Sequence, residues 1–109
     1  MGFMMPSAAT PQPSTSNQSR PDLRRPDGGA IRMLVVDDEK TLSDLLAMAL
    51  RYEGWEVQTA NDGMSALRAA REFGPDAVVL DVMLPDMTGL EVLARLRDTQ
   101  PNVPVLFLT

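Results

Sequence analysis

The sequence predicts an α/β domain, a parallel sheet with helices on both faces. Three observations lead there. Short apolar runs alternate with stretches of helical periodicity, in the order β-α-β-α-β-α-β across residues 31–109. Such alternation builds a doubly wound parallel sheet. Three of the runs are apolar on both faces, as strands covered twice must be, and two of those three end in aspartate.

Each element has its own signal. Ile31-Arg32-Met33-Leu34-Val35-Val36 is a short, partly β-branched run that ends in Asp37-Asp38-Glu39, a buried-strand pattern. Leu42, Leu45, Leu46, Ala49 and Leu50 then recur at i, i+3, i+4, i+7 and i+8, one face of an amphipathic helix that Gly54 stops. Trp55 to Thr59 alternates apolar and polar, as an edge strand does. Asn61-Asp62-Gly63 supplies a turn and a helix cap. Met64, Leu67, Ala70 and Arg71 continue as a second helix, closed by Gly74-Pro75. Asp76 to Asp81 is a second apolar strand, and Met83 to Gly89 is a loop. Leu90, Leu93, Ala94, Leu96 and Arg97 make a third helix. Val105 to Thr109 is the last strand, after Pro101 and Pro104.

Composition divides the chain in two. Residues 1–30 hold five of the nine prolines and carry a net charge of +1. Such a stretch buries too little apolar surface to offset its ordering entropy, so a disordered tail is expected there. Residues 31–109 carry a net charge of −6. That acidity argues against direct nucleic-acid binding by this segment and is compatible with a cation site. The chain has no Cys and no His, which excludes thiol catalysis, disulfides, histidine bases and thiolate zinc sites. Any metal bound here must be a hard, oxygen-liking one. Met1–Pro6 is too short for a signal-peptide core, and Arg24-Arg25 leads into Pro26-Asp27-Gly28-Gly29 where an export signal needs an apolar run. A cytoplasmic location with no membrane partner is expected.

Ligands of open α/β sheets bind beyond the carboxyl ends of the strands, where the strand order reverses. Asp37 and Asp38 end the first strand, Asp81 the third and Thr109 the fourth. If the first and third strands are neighbours, three carboxylates converge. A single aspartate at a strand end is ordinarily a turn or a cap. Two apolar strands ending in Asp at one pole of one sheet are less easily dismissed. Clustered carboxylates repel, and a divalent cation relieves that repulsion. Few, hard oxygen ligands suit Mg²⁺, which keeps room for waters and a phosphate. With no His or Cys, the available nucleophile is a carboxylate, and Asp81 attacking a phosphoryl group would give an aspartyl phosphate. A hydroxyl at Thr109 could then hydrogen-bond that group.

At these residues the sequence resembles a known family. Leu34-Val35-Val36-Asp37-Asp38-Glu39 looks like the first-strand motif of response-regulator receiver domains. The run from Val78 to Gly89 looks like their phosphorylation motif, Leu106-Phe107-Leu108-Thr109 like their fourth-strand motif, and Ala60-Asn61-Asp62-Gly63 like their turn before the second helix. The resemblance implies a flavodoxin-like sheet of order 2-1-3-4-5 and a signalling switch of a two-component system. By position, Asp81 would accept phosphate from a histidine kinase. Asp38, Asp81 and the backbone carbonyl of Met83 would bind Mg²⁺, with Asp37 acting through water, and Thr109 would be the switch hydroxyl. The style is closest to transcriptional regulators with a winged-helix DNA-binding output, which dimerise when phosphorylated. Thr88 stands where the family often has Asp.

Two other classes compete. An aspartate-nucleophile phosphohydrolase needs Asp at the position of Glu39. A receiver-like binding module that is never phosphorylated usually lacks one of the acids, and all are present here. The sequence ends at a strand, before the lysine-bearing fifth strand of the family, so the expectation is a partial receiver domain over 31–109, truncated after its fourth strand. Its apolar last strand would then be an unpaired edge, prone to association.

Overall fold

The computed structural model describes residues 23–108. Thr109 and most of the expected tail lie outside the described residues. The elements are β1 (Arg32–Val36), α1 (Lys40–Tyr52), β2 (Glu56–Ala60), α2 (Gly63–Phe73), β3 (Ala77–Asp81), α3 (Gly89–Thr99) and β4 (Val105–Leu108). The four strands form one parallel sheet in the order β2-β1-β3-β4, the expected order through its fourth strand.

Strand alternation distributes the core over two faces. Leu34, Val36, Val78 and Leu80 point to one side, where they pack with Ala66 and Ala70 of α2 and Val92 and Leu96 of α3. Val35 and Val57, with Met33 and Val79, point to the other side, against Leu46, Ala47 and Leu50 of α1. The handedness rule accounts for this split. The β1-to-β2 crossover runs one way along the sheet, and the next two run the other way. Right-handed crossovers therefore put α1 on one face and α2 with α3 on the other. The direction of winding reverses between β1 and β3, which makes their carboxyl ends the switch point.

The helix ends follow their chemistry. Gly74 adopts a left-handed conformation (φ 63°) and its N–H bonds Ala70 O, closing α2. Thr88 and Glu91 make a reciprocal capping box at the start of α3. Thr88, a departure from the family pattern in sequence, thus has a structural use. Among the described residues, no helix is long and apolar enough to cross a membrane.

Two expectations need revision. The apolar stripe assigned to α1 is only partly its buried face: Leu46 and Leu50 belong to both, while Leu42, Leu45 and Ala49 are exposed. Ser43 and Ala47 are buried, Leu46 and Leu50 pack on the sheet, and Leu42, Leu45 and Met48 are exposed. The buried face is turned from the stripe toward Ser43 and Ala47, and these small side chains are the ones that let α1 approach closely. The second revision concerns the tail boundary. Arg24 pairs with Ala30 across a turn, and the Arg25 guanidinium donates to both carboxylate oxygens of Asp76, at 2.9 and 3.0 Å. Asp76 also accepts from the Arg32 N–H at 2.8 Å. Residues 24–30 are therefore fastened to the amino pole of the sheet, opposite the aspartates.

Gly89 sits where α3 begins, directly behind Asp81. A β-carbon there would overlap the Asp81 carbonyl oxygen and lie 3.1 Å from both the Phe107 ring and Val82 Cα. At Gly63, by contrast, a β-carbon would meet chiefly the flexible Met87 side chain. Gly89→Ala is expected to destabilise by about 1–3 kcal/mol, as overpacking against backbone does, and Gly63→Ala by less. Urea midpoints of the two variants check this, and an unshifted midpoint for Gly89→Ala would show that the loop yields.

Candidate metal centre

The site forms at the carboxyl ends of β1 and β3. Their register sets Val36 opposite Leu80, so the next residues, Asp37 and Asp81, stand side by side. One carboxylate oxygen from each of Asp37, Asp38 and Asp81 lies within 4.8 Å of the others. Asp37 is buried, Asp81 half-buried and Asp38 exposed, so the cluster opens to solvent on one side. Sequence reasoning had singled out these three acids, and the fold brings them together. Met83 follows two residues after Asp81, and its N–H donates to Asp81 Oδ1 at 3.2 Å. Glu39 is exposed at the N-cap of α1 and is not part of the cluster.

At such separations two unit charges repel by about 1 kcal/mol in water and about 3 kcal/mol at the effective dielectric of a protein surface. Net domain stability is only about 5–15 kcal/mol, so even the lower figure is a noticeable cost to the free pocket. A dication reverses its sign. The donors are all carboxylate oxygens, and the chain contains no His or Cys. This donor set fits a hard divalent ion that retains waters on its open side.

Hydrogen bonds hold both loops of the pocket. The Asp37 N–H donates to Ala60 O, and Asp37 Oδ1 accepts from the Glu39 N–H at 2.8 Å. The Asn61 side chain donates to Asp37 O at 2.6 Å. In the other loop, Asp86 Oδ1 accepts from the Gly63 N–H at 2.7 Å and Oδ2 from the Met64 N–H at 3.0 Å. Asp62 Oδ1 accepts from the Ser65 N–H at 2.7 Å. Two aspartates thus satisfy the first free amides of α2, where its dipole favours negative charge. Asp62 was legible as a cap three residues from its donor. Asp86 was not, because its donors lie more than twenty residues away in sequence.

An open, doubly wound sheet with this topology is a flavodoxin-like α/β domain. The chain belongs to the response regulator receiver domain family, whose model matches residues 33–109. It is 60% identical over 87 residues to the probable transcriptional regulatory protein TcrX of Mycobacterium tuberculosis, covering 80% of this chain and 37% of that protein. It is 52% identical over 89 residues to the transcriptional regulatory protein TrcR of the same organism, covering 82% and 35%. The chain thus spans little more than a third of the length of these curated relatives. Among solved structures it resembles chemotaxis protein CheY4 of Vibrio cholerae (TM-score 0.70, 32% identity, 72% of this chain and 68% of that one). It also resembles the response regulator TrrA of Thermotoga maritima, solved in complex with Mg²⁺-BeF (TM-score 0.68, 38% identity, 72% and 69%).

The Asp86 carboxyl is held below its ordinary value of 3.8, first by the Gly63 N–H, against a smaller opposing effect of desolvation, and further by the Met64 N–H. A carboxyl whose folded pKa is depressed contributes stability above its unfolded pKa, and that contribution is lost as pH falls through the folded value. Asp86→Asn is therefore expected to be less stable than the parent at neutral pH, with the difference shrinking as pH falls below 3.8. Denaturant midpoints at neutral and strongly acidic pH check the sign. A gap that widens in acid would contradict the assignment.

Proposed function

We propose that this chain is the phosphoacceptor part of a two-component switch, and that Asp81 is the residue phosphorylated. The observation that carries this reading is the convergence of three carboxylates from two neighbouring strands at the switch point of the sheet. A sensor histidine kinase is the donor. An Asp81 carboxylate oxygen forms the new O–P bond as the P–N bond of the phosphohistidine breaks. The electron pair leaves on the imidazole nitrogen, which takes a proton from solvent. Hydrolysis reverses the modification, with water bonding to phosphorus as the O–P bond to Asp81 breaks.

Asp38 and Asp81 would hold Mg²⁺ together with the Met83 carbonyl, and Asp37 would act through water. When bound, Mg²⁺ neutralises charge on the phosphoryl oxygens. Asp37 also anchors the loop, with its side chain occupied by the Glu39 N–H. Thr109 is the switch hydroxyl that turns toward the phosphoryl group. Membership of the receiver family and the transcriptional names of relatives support an output that binds DNA and regulates transcription in the whole protein, dimeric when phosphorylated and cytoplasmic. The acidic segment itself does not contact nucleic acid.

Acetyl phosphate is expected to add one phosphoryl group to the intact protein, seen by intact mass, only when Mg²⁺ is present. Asp81→Asn should abolish the addition. Undiminished labelling of that variant would put the acceptor elsewhere.

A further inference from the structure

β2 gives no carboxylate to the pocket, yet the turn that follows it touches both loops that do. Asn61 is half-buried. Its amide nitrogen donates to Asp37 O at 2.6 Å and to Ser43 Oγ at 3.1 Å. A primary amide has two N–H groups, so both bonds can form at once. A backbone carbonyl can only accept, which requires the nitrogen of Asn61 to face it. Ser43 is fully buried and passes its own hydrogen to Lys40 O at 3.0 Å. Two and three residues on, the Gly63 and Met64 N–H groups grip Asp86 in the β3–α3 loop.

Asp37 O belongs to the peptide that joins Asp37 to Asp38. Among the described residues, the Asp38 carboxylate has no hydrogen bond of its own, so the backbone on either side sets its place. On one side Asn61 holds the peptide carbonyl. On the other, Asp37 Oδ1 holds the Glu39 N–H.

We propose that Asn61 is a positioning residue for the metal centre, fixing the Asp37–Asp38 peptide so that the Asp38 carboxylate points into the pocket before a cation arrives. This rests on the reading of the pocket as a Mg²⁺ site. Partners that orient metal ligands typically change affinity on the order of 10–100-fold when removed.

The test is the Mg²⁺ dissociation constant, measured by calorimetry on the intact protein well below its melting transition. Asn61→Ala is expected to weaken binding on the order of tenfold. Ser43→Ala, which loses the shared hydroxyl but leaves the Asn61 bond to Asp37 O, should change it much less. Asn61→Asp keeps the shape, removes both donors and adds a negative charge near the pocket. Positioning predicts weaker binding for it as well, whereas charge alone predicts tighter binding. If Asn61→Ala does not melt cooperatively, Asn61→Asp decides the matter. Unchanged or tighter binding in the folded Asn61 variants, with Mg²⁺ binding intact in the parent, overturns the role of Asn61 alone. No Mg²⁺ binding by the parent overturns the metal reading and this inference together.

Discussion

The pairing of β1 with β3 is the constraint on which the rest of the molecule depends. In a parallel ladder, register decides which side chains share a face and which residues leave the sheet together. Val36 lies opposite Leu80, so both strands run out at the same level and each is followed or ended there by aspartate. A slip of one residue would turn Leu34 and Val36 from the α2–α3 core toward α1. It would also separate Asp37 from Asp81. The apolar alternation that buries the two cores is therefore the same pattern that assembles the acids. Stability and site geometry are specified by one set of contacts.

The rest of the carboxyl pole answers the problem that pairing creates. Three carboxylates brought together repel, and loops between them would relax apart if left free. Short-range chemistry holds them. Gly89 lets α3 start against the Asp81 carbonyl, and the Thr88–Glu91 box fixes that start. Asp86 ties the same loop to the first turn of α2, while Ala60 and Asn61 tie down Asp37. The edge strand β2 thus serves the pocket through its terminal turn without contributing a ligand.

What could be read from the sequence follows the range of the interactions involved. The strands were legible because central parallel strands are apolar throughout, whereas their order was implied by the family resemblance and by nothing in the strands themselves. The acids were legible because strand ends at the switch point are where ligands bind. The buried face of α1 was partly misread, since Leu42 and Leu45 fit the helical period as well as the residues that pack, and only the approach of the sheet selects Ser43 and Ala47. Asn61 and Asp86 looked like ordinary turn residues, because their partners lie 18–24 positions away. The contact of Arg25 with Asp76, 51 residues on, was hidden for the same reason.

On this reading the acids at this pole are arranged for a cation at the expense of the free fold. Thermal melting with and without Mg²⁺ tests it most directly, comparing the parent with Asp38→Ala and Glu39→Ala. A ligand at a hundredfold excess over its Kd stabilises the folded state by about 2.7 kcal/mol, roughly 10–20 °C in melting temperature for a domain of this size. In chelator, Asp38→Ala should melt no lower than the parent, because repulsion is relieved. With Mg²⁺ the order should reverse, the parent and Glu39→Ala rising while Asp38→Ala stays. A Mg²⁺ shift equal in all three proteins, or one lost in Glu39→Ala and kept in Asp38→Ala, would contradict this account.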